Sequence, residues 1–301
     1  MEELNKYMKT IRMSAFLAVI LLCFAGCFST RYSLENISET TPNHYVCTYD
    51  GVKHDFIVDT PENPKGSALV IMLPGAGGTA ESFRQSTLFH EMACPQSYTV
   101  VYVTGAPDPG DPSSPVSWNH NAKKTGNDDV GFLKALASFI HKTFNTDSKK
   151  CYAAGFSNGA FMCHLLAAEA SDTFKAVISV AGTMSDSVWN KVPDVCNISL
   201  LLIAGEKDDV IPKLSDGSAK NSAFPAIEDV IDYYTNSLEL TTVREIGKGS
   251  TLKEYDDSSR QVWYLSVKDG RHSWSAESVT WINTNSLIIS FLDSIRTAHQ
   301  R

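Results

Sequence analysis

The chain has 301 residues, 43% of them hydrophobic and 20% charged, a globular composition able to bury one large core. Its formal net charge of −8, with no basic cluster beyond the N-terminus, argues against a nucleic-acid partner. The five cysteines after residue 27 have no close metal-ligand spacing, which argues against zinc, and no internal repeat is visible.

Residues 1–27 read as an export signal. Lys6, Lys9 and Arg12 precede the apolar run Ala15 to Ala25, which is short for a membrane span and ends in small residues suited to cleavage. Phe24-Ala25-Gly26-Cys27 is similar to a bacterial lipoprotein processing site, so either Cys27 carries lipid or ordinary signal-peptidase cleavage occurs nearby. A lipid on Cys27 is the only membrane contact expected. Residues 28–44 are polar and read as a tether, with the domain proper at 45–301. Pairing among Cys47, Cys94 and Cys196 is open, whereas Cys151 and Cys163 lie in apolar patterns typical of buried thiols.

Val52 to Val58 predicts an early strand, and Ala68 to Leu73 a buried one ended by Pro74-Gly75. Thr99 to Val103, Cys151 to Ala154, Ala176 to Val180, Leu200 to Ala204 and Val262 to Val267 have the same look. Between them lie helical faces: Val130, Leu133, Ala137, Ile140 and Phe144; then Phe161, Leu165 and Ala168; then Ile227, Val230, Ile231 and Tyr234; and last Ile288, Phe291, Leu292 and Ile295. Alternating strands and helices imply an α/β fold with a mainly parallel sheet and helices on both faces. Two long Pro-, Gly-, Ser- and Asp-rich loops, 105–125 and 212–224, each follow a predicted strand and are placed around a substrate pocket.

Gly155-Phe156-Ser157-Asn158-Gly159, between the predicted strand at Cys151 and a helix, fits a nucleophile elbow. Such a turn lifts a serine hydroxyl out of the sheet, and its flanking positions must be glycine because a Cβ there would strike backbone. A serine needs a histidine to take its proton and a carboxylate to hold the imidazole tautomer, here in the order Ser, Asp, His. The strand Leu200 to Ala204 runs into Gly205-Glu206-Lys207-Asp208-Asp209, where Asp208 is the preferred acid and Asp209 its rival. His272 follows the last predicted strand and precedes the final helix, which makes it the base. His164 falls inside a helix and His299 in the tail. The loop Leu73 to Gly78 follows the buried strand at the place where an oxyanion donor is needed, so the amides of Ala76 and Asn158 are the expected oxyanion hole.

With those residues placed, the chain resembles the secreted esterases of carbohydrate esterase family 1, a group of polyhydroxybutyrate depolymerases, feruloyl esterases and acetylxylan esterases with the α/β-hydrolase fold. The resemblance runs from about Tyr45 to the last helix. Its pieces are Leu73 to Gly78, Ser117-Trp118-Asn119, Asn127 to Phe132, the serine elbow, Gly205 to Pro212 and Gly270 to Trp274. Two positions depart from the pattern: Pro74 stands where histidine is usual, and Ala204 replaces a histidine before the glycine of the acid loop. The likeness implies Ser157 as nucleophile, Asp208 as acid, His272 as base, and hydrolysis of feruloyl or related acyl esters of plant-wall polysaccharide, or of hydroxyalkanoate or acetylxylan esters. It implies no cofactor and no metal. Trp118, Asn119, His120 and Trp274 are the substrate-contact candidates, with core packing the alternative for Trp118. Asp128 and Asp129 read as N-terminal helix caps.

Overall fold

A computed structural model describes residues 33–192, 197–211, 224–257, 259–274 and 277–298. The expected export signal with Cys27, together with Cys196, the stretch 212–223 and His299, lies outside the described residues.

The runs read as buried strands are strands, and they are buried on both faces. They are β4 (Ala68–Leu73), β5 (Tyr98–Val103), β6 (Cys151–Phe156), β7 (Ala176–Val180), β8 (Ser199–Gly205) and β11 (Gln261–Val267). Before them come β1 (Glu35–Thr41), β2 (His44–Tyr49) and β3 (Val52–Asp59), and before β11 come β9 (Glu239–Ile246) and β10 (Ser250–Asp256). All join one sheet in the order β1-β2-β3-β5-β4-β6-β7-β8-β11-β10-β9.

The six central strands from β5 to β11 are parallel, whereas β1, β2 and β3 at one margin and β10 and β9 at the other are antiparallel. The sheet is thus mainly parallel, as the sequence implies, and one margin corrects the expected tether. β1 begins at Glu35 inside the stretch 28–44 expected to be a tether, and pairs with β2 through Glu39 and Tyr45.

Side chains of β4 alternate between two cores, as strand geometry requires. Leu69, Ile71 and Leu73 pack with α3 (Asp129–Phe144), α4 (Asn158–Glu169) and α6 (Ile227–Thr235). Ala68, Val70 and Met72 pack with α1 (Ala80–Thr87), α2 (Phe89–Ala93) and α8 (Thr284–Ala298). Two short helices, α5 (Asp186–Trp189) and α7 (Glu277–Thr280), and a 3-10 turn at Cys94–Gln96 complete the set among the described residues. The α4 sequence is apolar on nearly every side, and Gly159 to Ala167 are all buried, which fits a helix covered on the sheet side and the outer side alike.

From β4 the chain passes to β5 on one side and then crosses to β6 on the other. The crevice beyond the carboxyl ends of β4 and β6 is therefore the switch point of the parallel sheet, where ligands of such folds bind. The loop Pro74 to Gly78 and the turn at Ser157 both open onto it.

Candidate active site

Ser157 stands between β6 and α4 with φ 52° and ψ −117°, a conformation that L side chains rarely adopt. Such a backbone costs on the order of 1 to 3 kcal/mol and persists only where its surroundings fix it. The Ser157 amide donates to the Val180 carbonyl at 3.0 Å. A Cβ on Gly155 would be driven into the Gly159 carbonyl, and one on Gly159 into the carbonyls of Leu73 and Pro74. The two glycines are required by close approach, as the sequence pattern demands.

Ser157 Oγ lies 2.9 Å from His272 Nε2, and His272 Nδ1 lies 2.9 Å from Asp208 Oδ2. These partners assign the proton on the imidazole to Nδ1, which leaves Nε2 to accept from the serine hydroxyl. The Asp208 side chain is only 3% exposed, and its Oδ1 accepts from the amides of Val210 and Ile211, each at 2.9 Å. Both oxygens are thus committed, which fixes the carboxylate against the ring. Asp209, the rival acid, is exposed. His164 is buried inside α4 between Tyr234 and Ser179, and burial pushes its imidazole down to about 3.

Ala76 lies on the exposed tip of the loop after β4, and Asn158 opens α4, where first-turn amides have no intrahelical partner. The loop abuts the elbow: a Cβ added at Gly75 would come 3.3 Å from Ser157 Cβ.

Trp118, expected to line the pocket with core packing as the alternative, is 3% exposed and packs into the core under α3 and α4, and it also edges the polar cavity beside Asn158. Its indole NH donates to the Pro74 carbonyl at 3.1 Å. Its backbone NH donates to Asn158 Oδ1 at 2.7 Å, and its carbonyl accepts from Asn158 Nδ2 at 3.3 Å. The Asn119 side chain is also turned inward. It accepts from the Lys123 amide and donates to the carbonyls of Lys123 and Asn127, pinning its own loop, and the residue also lines the polar cavity beside Asn158.

His120 is half-buried, stacks obliquely on Phe161 at 4.9 Å, and lines a polar cavity of ≈ 170 Å³ with Asp108, Asn121, Lys123, Asn127 and Asn158. Its Nδ1 is buried with no partner, and burial, assisted by Lys123, pushes its pKa down to about 4. Trp274 is half-buried near His272, donates to Asn285 Oδ1 at 3.0 Å and meets Phe83 edge-on.

Sequence reasoning missed Asp129. Asp128 does cap α3, accepting from the Gly131 amide at 2.9 Å. Asp129 instead is 2% exposed and accepts from the Asn119 amide at 2.6 Å, with Oδ1 unpartnered. Burial, with Asp128 beside it and against the Asn119 hydrogen bond, pushes its carboxyl up to about 7. Two acids in a row before a helix were the available signal, since one suffices as a cap.

The parallel sheet with its crossover helices, and the serine turn, define an α/β-hydrolase. The acetyl xylan esterase of Aspergillus awamori has the same fold, with a TM-score of 0.55 at 12% identity over 77% of this chain and 94% of that one. Residues 97–196, from β5 past the elbow, match the prolyl oligopeptidase family. Among curated proteins, NocK of Nocardia uniformis is 31% identical over 157 residues, 50% of this chain and 43% of that one. Feruloyl esterase B of Neurospora crassa is 28% identical over 120 residues, 38% of this chain and 39% of that one. The acetylxylan esterase of Coprinopsis cinerea is 29% identical over 142 residues, 45% of this chain and 38% of that one. The matches span less than half the length of each of these relatives. The likeness in sequence to feruloyl and acetylxylan esterases is confined to parts of the chain, whereas the likeness in fold runs over most of it.

Proposed function

We propose that the chain is an exported serine carboxylesterase that removes feruloyl or related acyl groups from plant-wall polysaccharide. The observation that carries this reading is the hydrogen-bonded series Ser157, His272, Asp208. Ser157 Oγ attacks the ester carbonyl while His272 Nε2 takes its proton. The oxyanion rests on the amides of Ala76 and Asn158, and donors aimed at that developing charge are commonly the largest single catalytic contribution. His272 then returns the proton to the leaving alcohol, and next activates a water that releases the acid from the acyl-serine. Asp208 holds the imidazole throughout. The polar cavity beside Asn158, with His120 on its wall, suits a hydroxyl-rich leaving group. Export rests on the character of residues 1–27.

Removal of acetyl groups from xylan is the second reading, favoured by the match to the Coprinopsis cinerea enzyme. The deciding experiment offers the full chain methyl ferulate, acetylated xylan, p-nitrophenyl acetate and a hydroxybutyrate oligomer in parallel, with Ser157→Ala as control. Preferential ferulate release, lowered by about four to six orders of magnitude in the variant, supports the first reading. Preference for the acetyl esters or the oligomer keeps the chemistry and overturns the substrate. Undiminished turnover by Ser157→Ala rejects the nucleophile, and glycan binding without turnover of any ester favours a non-catalytic carbohydrate-binding relative.

A further inference from the structure

We infer that Trp118 is a positioning residue that sets the distance between the two oxyanion donors, an inference that rests on the ester-hydrolase reading above. The donors belong to segments far apart in sequence, the loop after β4 and the first turn of α4. Trp118 bonds to both. Its indole NH holds the carbonyl of Pro74, two residues before Ala76, at 3.1 Å, and its backbone grips the side-chain amide of Asn158 with one bond in each direction, 2.7 and 3.3 Å.

The clamp is itself anchored from behind. The neighbouring amide, Asn119 NH, donates to buried Asp129 at 2.6 Å, and Gly77 NH donates to the Val116 carbonyl at 2.7 Å, so the loop cannot slide along α3 or away from the strand ends without breaking hydrogen bonds. The Trp118 ring lies in the core, which holds the indole NH in one direction. An oxyanion hole works only if its donors are fixed before charge develops, and misplacing such groups by about 1 Å costs roughly a hundredfold in rate.

Trp118→Phe keeps an aromatic ring in the core and removes the bond to Pro74. Asn158→Ala keeps the Asn158 amide and removes the two bonds to Trp118. Both variants are expected to lose about 10- to 100-fold in kcat with KM within about threefold of wild type, because donors that act on the oxyanion leave ground-state binding nearly unchanged. Their affinity for a trifluoromethyl ketone, which Ser157 converts to a bound oxyanion, should fall by the same factor as kcat/KM. Rates are taken per folded molecule, with the folded fraction read from near-ultraviolet circular dichroism. Unchanged kcat and inhibitor affinity in both variants would overturn the positioning role while leaving an active wild-type esterase. A wild-type chain silent on every ester would overturn the hydrolase reading and this inference together.

Discussion

Gly205, at the end of β8, and Gly270, just after β11, are in backbone contact: a Cβ on Gly205 would be driven into the Gly270 carbonyl, and one on Gly270 would lie 3.1 Å from Gly205 Cα. The Lys207 amide donates to the Gly270 carbonyl at 2.8 Å, and the Glu206 amide to the Val267 carbonyl at 2.9 Å. The acid-bearing and base-bearing loops thus leave the sheet stapled together, and this places Asp208 against His272. Neither glycine is there for a left-handed backbone; each is there because no side chain fits.

Gly205→Ala should therefore separate the two loops. The expected result is a loss of roughly 1 to 3 kcal/mol in stability and of about a hundredfold in kcat/KM. Urea unfolding and ester turnover measured on the same preparation check both, and normal turnover in a destabilised protein would show that the staple serves the fold alone.

Asp208→Asn preserves Oδ1 as an acceptor for the amides of Val210 and Ile211, so the loop should keep its shape. It removes the carboxylate that holds the proton on His272 Nδ1. Turnover should fall by about four orders of magnitude, with thermal stability little changed. Asp209→Asn, on the exposed neighbour, should leave turnover within about twofold of wild type.

Asp129 makes stability depend on pH in a stated direction. Its carboxyl rises from the ordinary 3.8 to about 7, chiefly through burial. A folded pKa above the unfolded one means that the folded chain holds the proton more tightly, so this contribution is full below the lower value and is lost as pH rises through the upper one. Asp129→Asn still offers an oxygen to Asn119 NH and does not titrate. Unfolding free energies at about pH 5 and about pH 8 should differ less in the variant than in the wild type, by about 1 to 3 kcal/mol. An equal difference in both proteins would show that Asp129 does not titrate in that range.

The described cysteines, Cys47, Cys94, Cys151 and Cys163, are free thiols. Burial pushes Cys47 and Cys94 up to about 12, and Cys151 and Cys163 higher still. The thiolate is the reactive form, so alkylation of the native protein at about pH 8 should spare Cys151 and Cys163, with partly exposed Cys94 reacting first. All four should react once urea unfolds the chain, as peptide mass spectrometry would record.

The central strands were legible because a strand buried on both faces must be apolar throughout, as Ala68 to Leu73 and Leu200 to Ala204 are. The serine turn was legible because its glycines are dictated by backbone contact. The marginal strands were not. β1 and β9 are exposed along most of their length, so neither needs the apolar alternation that betrays a strand, and β10 is half-buried between neighbours. Trp118 and Asn119 are substrate-contact candidates in the sequence because they lie in the resemblance motif and in a long loop set around the pocket. What they hold within the fold, the Pro74 carbonyl and the loop backbone, is not written in local sequence, since Pro74 lies 44 residues from Trp118. Asp129 was read as a cap for the same reason: burial is a property of the assembled loop.

The backbone of Ser157 carries a further implication for how this chain tolerates change. A residue at φ 52° and ψ −117° is held there against its own preference, at the one position where the hydroxyl must be presented. Glycine would sit in that turn without strain. Ser157→Gly is therefore expected to melt above the parent by a few degrees while losing its chemistry, and a screen that selected for heat resistance alone would be drawn toward dismantling the nucleophile.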